Sequence, residues 1–487
     1  MAARVAALVD GMRPRLPGQL GAEVDAMRAG LDQPLRVAVV GRLKAGKSTL
    51  VNAILGQRVA PTDVSECTRM VTLFSFGHPQ RVEVVLRDGG RRDVQLDAEG
   101  RVPESVGVAP GDVARLQVWL TNETLRSMTL IDTPGLASLD TERSAVTEDL
   151  LAAERDSSTA EAAADAVVLV LNQSPRADEL EALETFQAHS GGPLRNSVNA
   201  IGVLTKADQA GGGGAGAWEA ARRLATRQAD RFRNEVAAVV PVVGLIAETA
   251  EAALLTETEA AHIAALAGLA PERLAGMLLS ADRFVNADAP LPGPARRRLL
   301  DLLGLFGVER AVSLAGGGVQ GAFSLRAELS RISGIEAVRR TLWVTFRRRS
   351  DALKAWQGLA VLDALSYRVD AGPARELRDA IERLRLDPGM HELAELGALQ
   401  SVRSGEVNLP PELSDDVERL VTADGLTERL GADSGDAPDL RAAATRGAGR
   451  WRTFTQTGAD PRQAQLARTM IRSYSLAFQQ IEEGATA

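Results

Sequence analysis

The feature that most constrains the fold of this chain is a glycine-rich segment between an apolar run and a helix-forming run. Residues 41–48 read GRLKAGKS, residues 35–40 before them read LRVAVV, and residues 48–55 read STLVNAIL before Gly56. The apolar run is typical of a buried strand, and the second run, with its glycine stop, is typical of a helix. A loop between such elements surrounds phosphate with backbone N–H groups at a helix N-terminus, so it predicts a nucleoside triphosphate site.

Residue types within this loop indicate separate roles. Lys47 is expected to bridge the β- and γ-phosphates, and the Ser48 hydroxyl is expected to bind Mg²⁺. Only four of the 56 basic residues are lysines, and two of them, Lys44 and Lys47, lie in this loop. The residues predicted here to bind nucleotide are Gly41, Lys44, Ala45, Gly46, Lys47, Ser48 and Thr49.

A second motif, TKAD at residues 205–208, indicates which base is bound. It follows the apolar run VNAIGVL at residues 198–204 and so lies at a strand end, where ligands bind in open parallel sheets. Asp208 can accept hydrogen bonds from N1–H and N2–H₂ of guanine, a donor pair that adenine lacks. The stem of Lys206 can lie along the base, and Thr205 completes the motif. The pattern favours GTP over ATP.

A third motif, DTPG at residues 132–135, follows the strand-like run MTLI. Asp132 is expected to hold Mg²⁺ through water, and the Gly135 N–H to sense the γ-phosphate. A switch threonine should close over the metal, and residues 60–69 offer Thr62 and Thr68. We prefer Thr68 because it precedes the strand-like run of residues 70–76. The predicted metal ligands are therefore Ser48, Thr68 and Asp132, and the predicted catalytic residues are Lys44, Lys47 and Thr68.

The order of these motifs resembles that of the dynamin superfamily, particularly bacterial dynamin-like proteins of the mycobacterial isoniazid-inducible group. The similar stretches read GRLKAGKSTLVNAILG, APTDVSECTRMVT, LIDTPGL and TKAD, all in the first half of the chain. The resemblance implies GTP hydrolysis stimulated by G-domain dimerisation, and membrane remodelling. It also implies a neck of helices from both ends of the chain and allows a paralogous dynamin-like partner. Such proteins often carry a Ser-Ala pair after the next strand; this chain has Gly244 and Leu245 there, so the Gly244 backbone is expected to reach the guanine.

The phosphate loop departs from the dynamin pattern at one position. Many eukaryotic dynamins have Gln-Ser where this chain has Leu43 and Lys44, and the serine helps to seat a monovalent cation. Our hypothesis is that the Lys44 ammonium instead stabilises the charge that develops between the β- and γ-phosphates, a role worth ~10³ or more in rate. The alternative is an ordinary surface lysine.

Length and composition extend the prediction to the whole chain. With 487 residues, the chain exceeds one G domain and should form two or three units. The predicted fold is an α/β P-loop GTPase domain, with a mostly parallel sheet and helices on both faces, plus an all-α neck or stalk bundle. The predicted units are N-terminal neck helices at 1–33, the GTPase domain at 34–250, its helical extension at 251–349 and the helical bundle at 350–487.

Two apolar seams suggest how the neck is built. Leu20, Val24, Met27 and Leu31 are spaced along one helical face, and the last helix places Leu466, Met470, Tyr474, Ala477 and Ile481 on another. We expect these two helices to pack together, and the alternative is two helices in separate bundles.

Charge and hydropathy limit the partners. The net charge of −8 argues against nucleic acid as the main partner, and no window approaches the roughly 18 uninterrupted apolar residues of a membrane span. Without a signal peptide at the N-terminus, we expect a cytoplasmic protein associated peripherally with the inner face of the cell membrane. The lipid-contacting candidates are residues 405–411, which would expose Val407 and Leu409, residues 314–319 and the arginines at 347–349; ordinary turns and a solvated helix face are the alternatives.

Three functions are compatible with the motifs. The first is a dynamin-like GTPase that binds GTP and Mg²⁺, self-assembles and remodels membrane. The second is a GTP-dependent switch that acts on a protein partner. The third, a translation or ribosome-assembly GTPase, would need a basic RNA-binding module, whereas this chain is acidic with a long helical second half.

Overall fold

The fold is known from a computed structural model. It describes residues 1–61, 70–134, 164–173 and 199–485, apart from single residues at positions 17, 104, 215, 234, 348, 370, 386, 404 and 424. The described strands, in chain order, are β1 (Leu35–Val40), β2 (Thr72–Phe76), β3 (Arg81–Leu86), β4 (Arg91–Val94), β5 (Val113–Leu120), β6 (Met128–Asp132), β7 (Ala166–Leu171), β8 (Ala200–Leu204) and β9 (Val239–Pro241).

These strands form one sheet in the order β4-β3-β5-β2-β6-β1-β7-β8-β9. The five strands from β6 to β9 in this order are all parallel, and β2 pairs antiparallel to β6. At the far edge, β3 is antiparallel to both β4 and β5. The predicted parallel sheet is therefore confirmed, and the β3–β4 hairpin with β5 is an addition that the sequence patterns did not indicate.

Strand β1 lies between β6 and β7 and is buried on both faces. Val37 and Val39 belong to one apolar core, whereas Ala38 and Val40 belong to a second core that includes Phe232. This alternation follows from the two-residue period of a strand. Because both faces are covered, residues 37–40 form an unbroken apolar run.

The chain also forms helices before, within and after this sheet. Those flanking the strands are α1 (Ala2–Met12), α2 (Gly18–Leu31), α3 (Lys47–Leu55), α4 (Ala217–Arg231) and α5 (Gly244–Glu251). Next come α6 (Glu257–Ala267), α7 (Pro271–Met277), α8 (Ala281–Asn286), α9 (Gly293–Gly316), α10 (Gly321–Ser333) and α11 (Ile335–Leu342). The remaining helices are α12 (Ser350–Ser366), α13 (Ala371–Arg385), α14 (Pro388–Arg403), α15 (Pro411–Thr422), α16 (Leu426–Leu430), α17 (Ala437–Gln456) and α18 (Pro461–Ala485).

The helices contribute to three large cores. One joins α1 and α2 to α12, α13 and a face of the sheet. Another joins α5 to the helices from α6 to α10. The third is formed by helices α14 to α18, with Trp451 and Tyr474 fully buried. The second half of the chain is helical as predicted, while the division into four units stays a prediction.

The predicted packing of the last helix on the N-terminal pair is wrong. Helix α18 packs on α17 and α14, and its buried residues Leu466, Met470 and Tyr474 belong to the third core. The α1–α2 pair packs instead on α12. An apolar seam requires a partner helix but does not specify which one. For α18 the partners are α17 and α14.

A buried polar cluster fixes the centre of the third core. The Asp416 carboxylate accepts hydrogen bonds from the Tyr474 hydroxyl (2.8 Å), Trp451 Nε1 (2.7 Å) and Arg450 (2.9 Å). Gly447 on α17 faces the Tyr474 ring, where a Cβ atom would lie 2.2 Å from a ring carbon. Because only hydrogen fits at this point, α17 and α18 approach closely there.

One lipid-contacting candidate is corrected, and a second is corrected at Arg349, the one arginine of residues 347–349 whose side chain the structure describes. Val407 is 6% exposed and packs in the third core, and Leu409 is half-buried against it, so residues 405–411 do not expose these side chains. Arg349 is buried as well, and its guanidinium donates to the carbonyls of Val344 and Val421. In residues 314–319, the glycines are exposed and the flanking Leu314 and Val319 are half-buried. Among the described residues, no helix has the length and hydropathy needed to span a bilayer.

Candidate functional site

The phosphate-loop residues lie at the carboxyl end of β1, where α3 begins. Gly46 adopts a left-handed conformation (φ 96°) at the N-cap of α3, and Gly56 does the same (φ 65°) at its C-cap, so the predicted helix stop is confirmed. Gly41 lies against β7, since a Cβ atom there would be 2.7 Å from the Val170 carbonyl oxygen. The strand, loop and helix therefore have the arrangement that the sequence predicted.

The Lys47 side chain folds back over this loop. Lys47 is 7% exposed, and its ammonium donates to the carbonyl oxygens of Gly41 and Arg42, at 3.0 Å each. These bonds keep the cation at the head of α3, where the helix dipole also favours an anion. A lysine in this position presents its charge to a phosphate held by the loop.

Ser48 and Asp132 meet beside this lysine, although they are 84 residues apart in the chain. The Ser48 hydroxyl donates to Asp132 Oδ2 at 2.7 Å. Asp132 is 8% exposed, and its Oδ1 has no hydrogen-bond partner within the described part of the chain. Burial raises the pKa of Asp132, and the nearby Lys47 charge and the Ser48 hydrogen bond oppose that shift. A hydroxyl and a buried carboxylate with a spare oxygen are oxygen ligands of the kind that Mg²⁺ prefers, so this pair fits the predicted metal.

Lys44 has an uncommon backbone conformation for a residue with a side chain. Its φ is 61°, in the left-handed region, and its side chain is exposed, as is that of Leu43. Such a conformation costs free energy and persists when the surrounding structure holds it in place. The position of Lys44 on the phosphate loop agrees with the sequence, and its catalytic role stays a prediction.

Thr205 connects the base motif to the phosphate loop. Its hydroxyl is buried, lies 2.6 Å from the Ala45 carbonyl oxygen and also approaches the Leu171 carbonyl oxygen at 3.3 Å. Gly46 lies beside the same side chain. The carboxyl ends of β1, β7 and β8 are therefore tied together at the site.

Lys206 and Asp208 follow at the end of β8. Lys206 is exposed and left-handed (φ 52°), which turns the chain into a short 3₁₀ segment at Ala207–Gly212. Asp208 is half-buried, and burial raises its pKa while its own backbone N–H and the Lys206 charge oppose the shift. This placement at a strand end agrees with the prediction for a base-binding carboxylate.

Gly244 marks the last predicted contact. The strand before it, β9, covers Val239–Pro241, and Gly244 is the first residue of α5. A Cβ atom at Gly244 would lie 3.5 Å from the Thr49 side chain. The structure therefore brings these two predicted nucleotide-binding residues together. Thr62, Thr68 and Gly135 lie outside the described residues.

Sequence patterns missed a buried network behind the loop. The Asn52 amide nitrogen donates to Glu248 on α5 (2.7 Å) and to the Ala60 carbonyl (2.9 Å), and its oxygen accepts from the N–H groups of Val59 and Ala60. This side chain fixes the backbone at the start of the predicted switch segment. A polar asparagine within the apolar run of α3 was the available signal, because a buried amide needs partners.

A second contact joins α3 to the segment that leads to the helical half. Arg339 on α11 donates to the carbonyls of Ala53 (2.8 Å) and Ile54 (3.3 Å), at the C-terminal end of α3. It also pairs with Glu251 at the end of α5 (2.5 Å). A cation suits the negative end of a helix dipole, so this arginine stabilises the end of α3 and links it to α5 and α11.

The parallel sheet, the phosphate loop and the strand-end carboxylates define a P-loop GTPase with an attached helical bundle. Comparison with known proteins identifies the family within this class. The family model described as "Dynamin family" matches residues 37–207. Isoniazid-induced protein IniC of Mycobacterium tuberculosis is 34% identical over 448 residues, which cover 90% of this chain and 88% of that protein. This chain belongs to the dynamin family.

Two further matches cover smaller parts of the chain. Isoniazid-induced protein IniA of Mycobacterium tuberculosis is 30% identical over 187 residues, or 36% of this chain and 26% of that protein. GTPase Der of Desulforudis audaxviator is 36% identical over 127 residues, or 24% of this chain and 26% of that protein. The predicted resemblance to the mycobacterial isoniazid-inducible group is confirmed, and the chain is a GTP hydrolase.

Proposed function

We propose that this dynamin-family GTPase hydrolyses GTP with Mg²⁺, dimerises through its G domain and remodels membrane as a peripheral protein. The observation that carries the proposal is the pair formed by Ser48 and Asp132, 2.7 Å apart beside Lys47, with a spare buried carboxylate oxygen. Such a pair has one evident use in a phosphate-binding loop, which is to hold a divalent cation next to the phosphates.

The proposed roles follow from the side-chain chemistry. Mg²⁺, when bound by Ser48, Asp132 and Thr68, would neutralise charge on the β- and γ-phosphates. Lys47 would bind the phosphates, and Lys44 would stabilise charge on the bridging oxygen. The other proposed phosphate contacts are the loop residues Gly41, Ala45, Gly46 and Thr49, together with Gly135.

Recognition of the base is proposed for the strand-end residues. Asp208 accepts from guanine, the Lys206 stem lies along the ring, and the Gly244 N–H approaches the base. Thr205 acts through the phosphate loop, because its hydroxyl already contacts Ala45. Guanine specificity then depends on the ionised state of Asp208, since only the carboxylate accepts two hydrogen bonds.

Dimerisation and membrane work rest on membership of the dynamin family and on the long helical half. The proposed division is 1–33, 34–250, 251–349 and 350–487, with the cytoplasmic side of the cell membrane as the place of action. One observation favours the alternative, a GTP-dependent switch that acts on a protein partner: Val407 is buried in the region expected to contact lipid.

The deciding experiment measures GTP turnover over a range of protein concentrations, with and without anionic liposomes. Lys47→Ala serves as the blank, because it removes the phosphate-binding cation. We expect turnover per molecule to rise with protein concentration and on liposomes, followed by visible vesicle tubulation or breakage. Turnover that ignores both lipid and concentration would refute membrane remodelling and favour the switch.

A separate titration tests the metal site. Turnover is measured against Mg²⁺ concentration for the unaltered protein and for Ser48→Ala, which removes one proposed ligand and the hydrogen bond to Asp132. We expect the variant to need at least ~10-fold more Mg²⁺, given the usual cost of an altered metal site. An unchanged Mg²⁺ requirement would remove Ser48 from the proposed metal ligands.

A further inference from the structure

A cavity of about 490 Å³ lies away from the nucleotide site, where α4 and β9 of the GTPase fold meet α14 of the helical half. Its walls carry Arg222 and Arg233 from the α4 side and Gln400 and Arg403 from α14. Alanine and valine residues, Pro241 of the edge strand β9, Thr226 and Asp230 form the rest of the lining. The volume is within the range of small-molecule sites, which commonly lie between structural units.

Gln400 is the first feature of this cavity that suits a ligand. The residue is 8% exposed, and its Nε2 makes no hydrogen bond to any part of the chain that the structure describes. A buried amide donor without an acceptor lowers stability, so such groups are rare unless something else satisfies them. Because Gln400 also lines the cavity, an acceptor bound there is a group that would satisfy this donor.

The charges on the walls indicate the kind of acceptor. Three guanidinium groups and one carboxylate, that of Asp230, line the cavity. Arg222 contacts Glu219 at 3.2 Å, and Arg403 pairs with Glu418, whereas Arg233 has no ion pair with any described residue. Each paired arginine still has N–H groups beyond those bonds, since a guanidinium carries five.

The position of Arg403 adds geometry to this charge. One of its N–H groups donates to the Ala237 carbonyl just before β9, at 3.1 Å, while Nε donates to Glu418 at 3.0 Å. The guanidinium is therefore held at the seam between the sheet edge and α14. Because Glu418 already occupies the Nε and Nη2 edge, a ligand in the cavity meets the remaining N–H groups of this guanidinium, and these suit an anionic oxygen.

We propose that this cavity is a binding site for a phosphate group, carried by a small organic phosphate or by a lipid headgroup. Arg233 and Arg222 contact the phosphate from the GTPase fold, and Gln400 and Arg403 contact it from α14. A bound phosphate thus joins α4 to α14 and adds a second phosphate site to the nucleotide site. The proposal is independent of membrane remodelling, because it concerns binding and not turnover.

The test uses the full chain saturated with GDP and Mg²⁺, so that the nucleotide site does not compete. Inorganic phosphate and glycerol 3-phosphate are the free probes, and binding is measured by calorimetry. The variants are Arg233→Ala, which removes an exposed cation, and Gln400→Met, which removes only the amide. Arg223→Ala is the matched control, since Arg223 is an exposed neighbour on α4 that does not line the cavity.

We expect at least one free probe to bind, with affinity about tenfold weaker in Arg233→Ala and Gln400→Met and unchanged in Arg223→Ala. A parallel arm measures sedimentation of the GDP-bound protein with vesicles containing phosphatidic acid. Loss of vesicle binding in the same two variants, without binding of a free probe, would identify a lipid headgroup as the source of the phosphate.

Three results would overturn the proposal. The first is no binding in either arm, and the second is equal binding by the unaltered protein, Arg233→Ala and Gln400→Met. The third is an equal loss in Arg223→Ala, which would reduce the effect to net charge. Thermal unfolding without ligand is measured for every variant, and Gln400→Met is expected to be at least as stable as the unaltered protein because it removes an unpaired buried donor.

Discussion

Lowering the pH from about 7.5 to about 5 is expected to weaken the third core through one buried histidine. His391 on α14 is 7% exposed, and its Nε2 lies 2.8 Å from the Ser473 hydroxyl on α18. Burial, followed by the charges of Arg472 and Arg429, lowers the pKa of His391 from 6.5 to about 4. The imidazole is therefore neutral in the folded protein at neutral pH, and its approach to Glu395 is not an ion pair there.

The sign and size of the effect follow from the two pKa values. Between pH 6.5 and 4 the unfolded chain binds a proton at His391 that the folded chain does not. The stability that depends on neutral His391 is complete above pH 6.5 and is lost as the pH falls toward 4. Linkage gives a loss of about 2 kcal/mol between pH 7.5 and 5, and about 3 kcal/mol when protonation is complete.

The assay is urea unfolding at both pH values for the unaltered protein and for His391→Gln. Burial raises the pKa of Glu395, which opposes the trend, but Glu395 is present in both proteins. The difference between the two pH dependences therefore isolates the histidine. His262→Gln controls for the loss of a half-buried histidine elsewhere. If the unaltered protein and His391→Gln lose equal stability on acidification, the reasoning is wrong.

Three further predictions concern single residues. Lys44→Ala should lower kcat by ~10³-fold or more while GDP affinity is kept, because the proposed role is limited to the transition state. An equal kcat would make Lys44 an ordinary surface lysine. Burial raises the pKa of Asp208, and protonation removes its ability to accept two hydrogen bonds from guanine. KM for GTP should therefore rise as the pH falls, starting at a higher pH than the pKa of an exposed aspartate would give. A KM independent of pH would contradict this role. Gly447→Ala should lower the free energy of unfolding in urea by about 1–3 kcal/mol, since its Cβ atom would overlap the Tyr474 ring. Gly449→Ala on the same helix has open space around its Cβ atom and should not lower it. Equal losses in the two variants would refute the steric argument.

The elements that could be predicted from the sequence are those whose burial produces a short run or a regular spacing of apolar residues. Strands β1, β6 and β8 are buried on both faces and appear as apolar runs, and α3 begins and ends at glycines. The hairpin of β3 and β4 escaped notice because an exposed edge strand such as β4, with sequence RRDV, has no apolar pattern to read. Edge strands are commonly charged, since charge prevents pairing with other chains.

Long-range pairing was the part that local patterns could not supply. The seam of α18 was recognised, yet its partners α17 and α14 were not, because apolar side chains fit many surfaces. The contact between Asn52 and Glu248 spans 196 residues, and nothing in the sequence around either residue indicates that they pair. In contrast, Ser48 and Asp132 were predicted to act together because the phosphate and metal that they serve dictate both residue types.

The distribution of lysines allows the nucleotide site to be labelled selectively with amine-reactive reagents. Lys47 and Lys354 are buried, with their ammonium groups bonded to backbone carbonyls, whereas Lys44 and Lys206 are exposed. Both exposed lysines lie on the loops that follow β1 and β8. An amine-reactive reagent will therefore label side chains mainly at the entrance of the nucleotide site. Protection of these two amines then reports nucleotide occupancy on the unlabelled, unaltered protein by mass spectrometry.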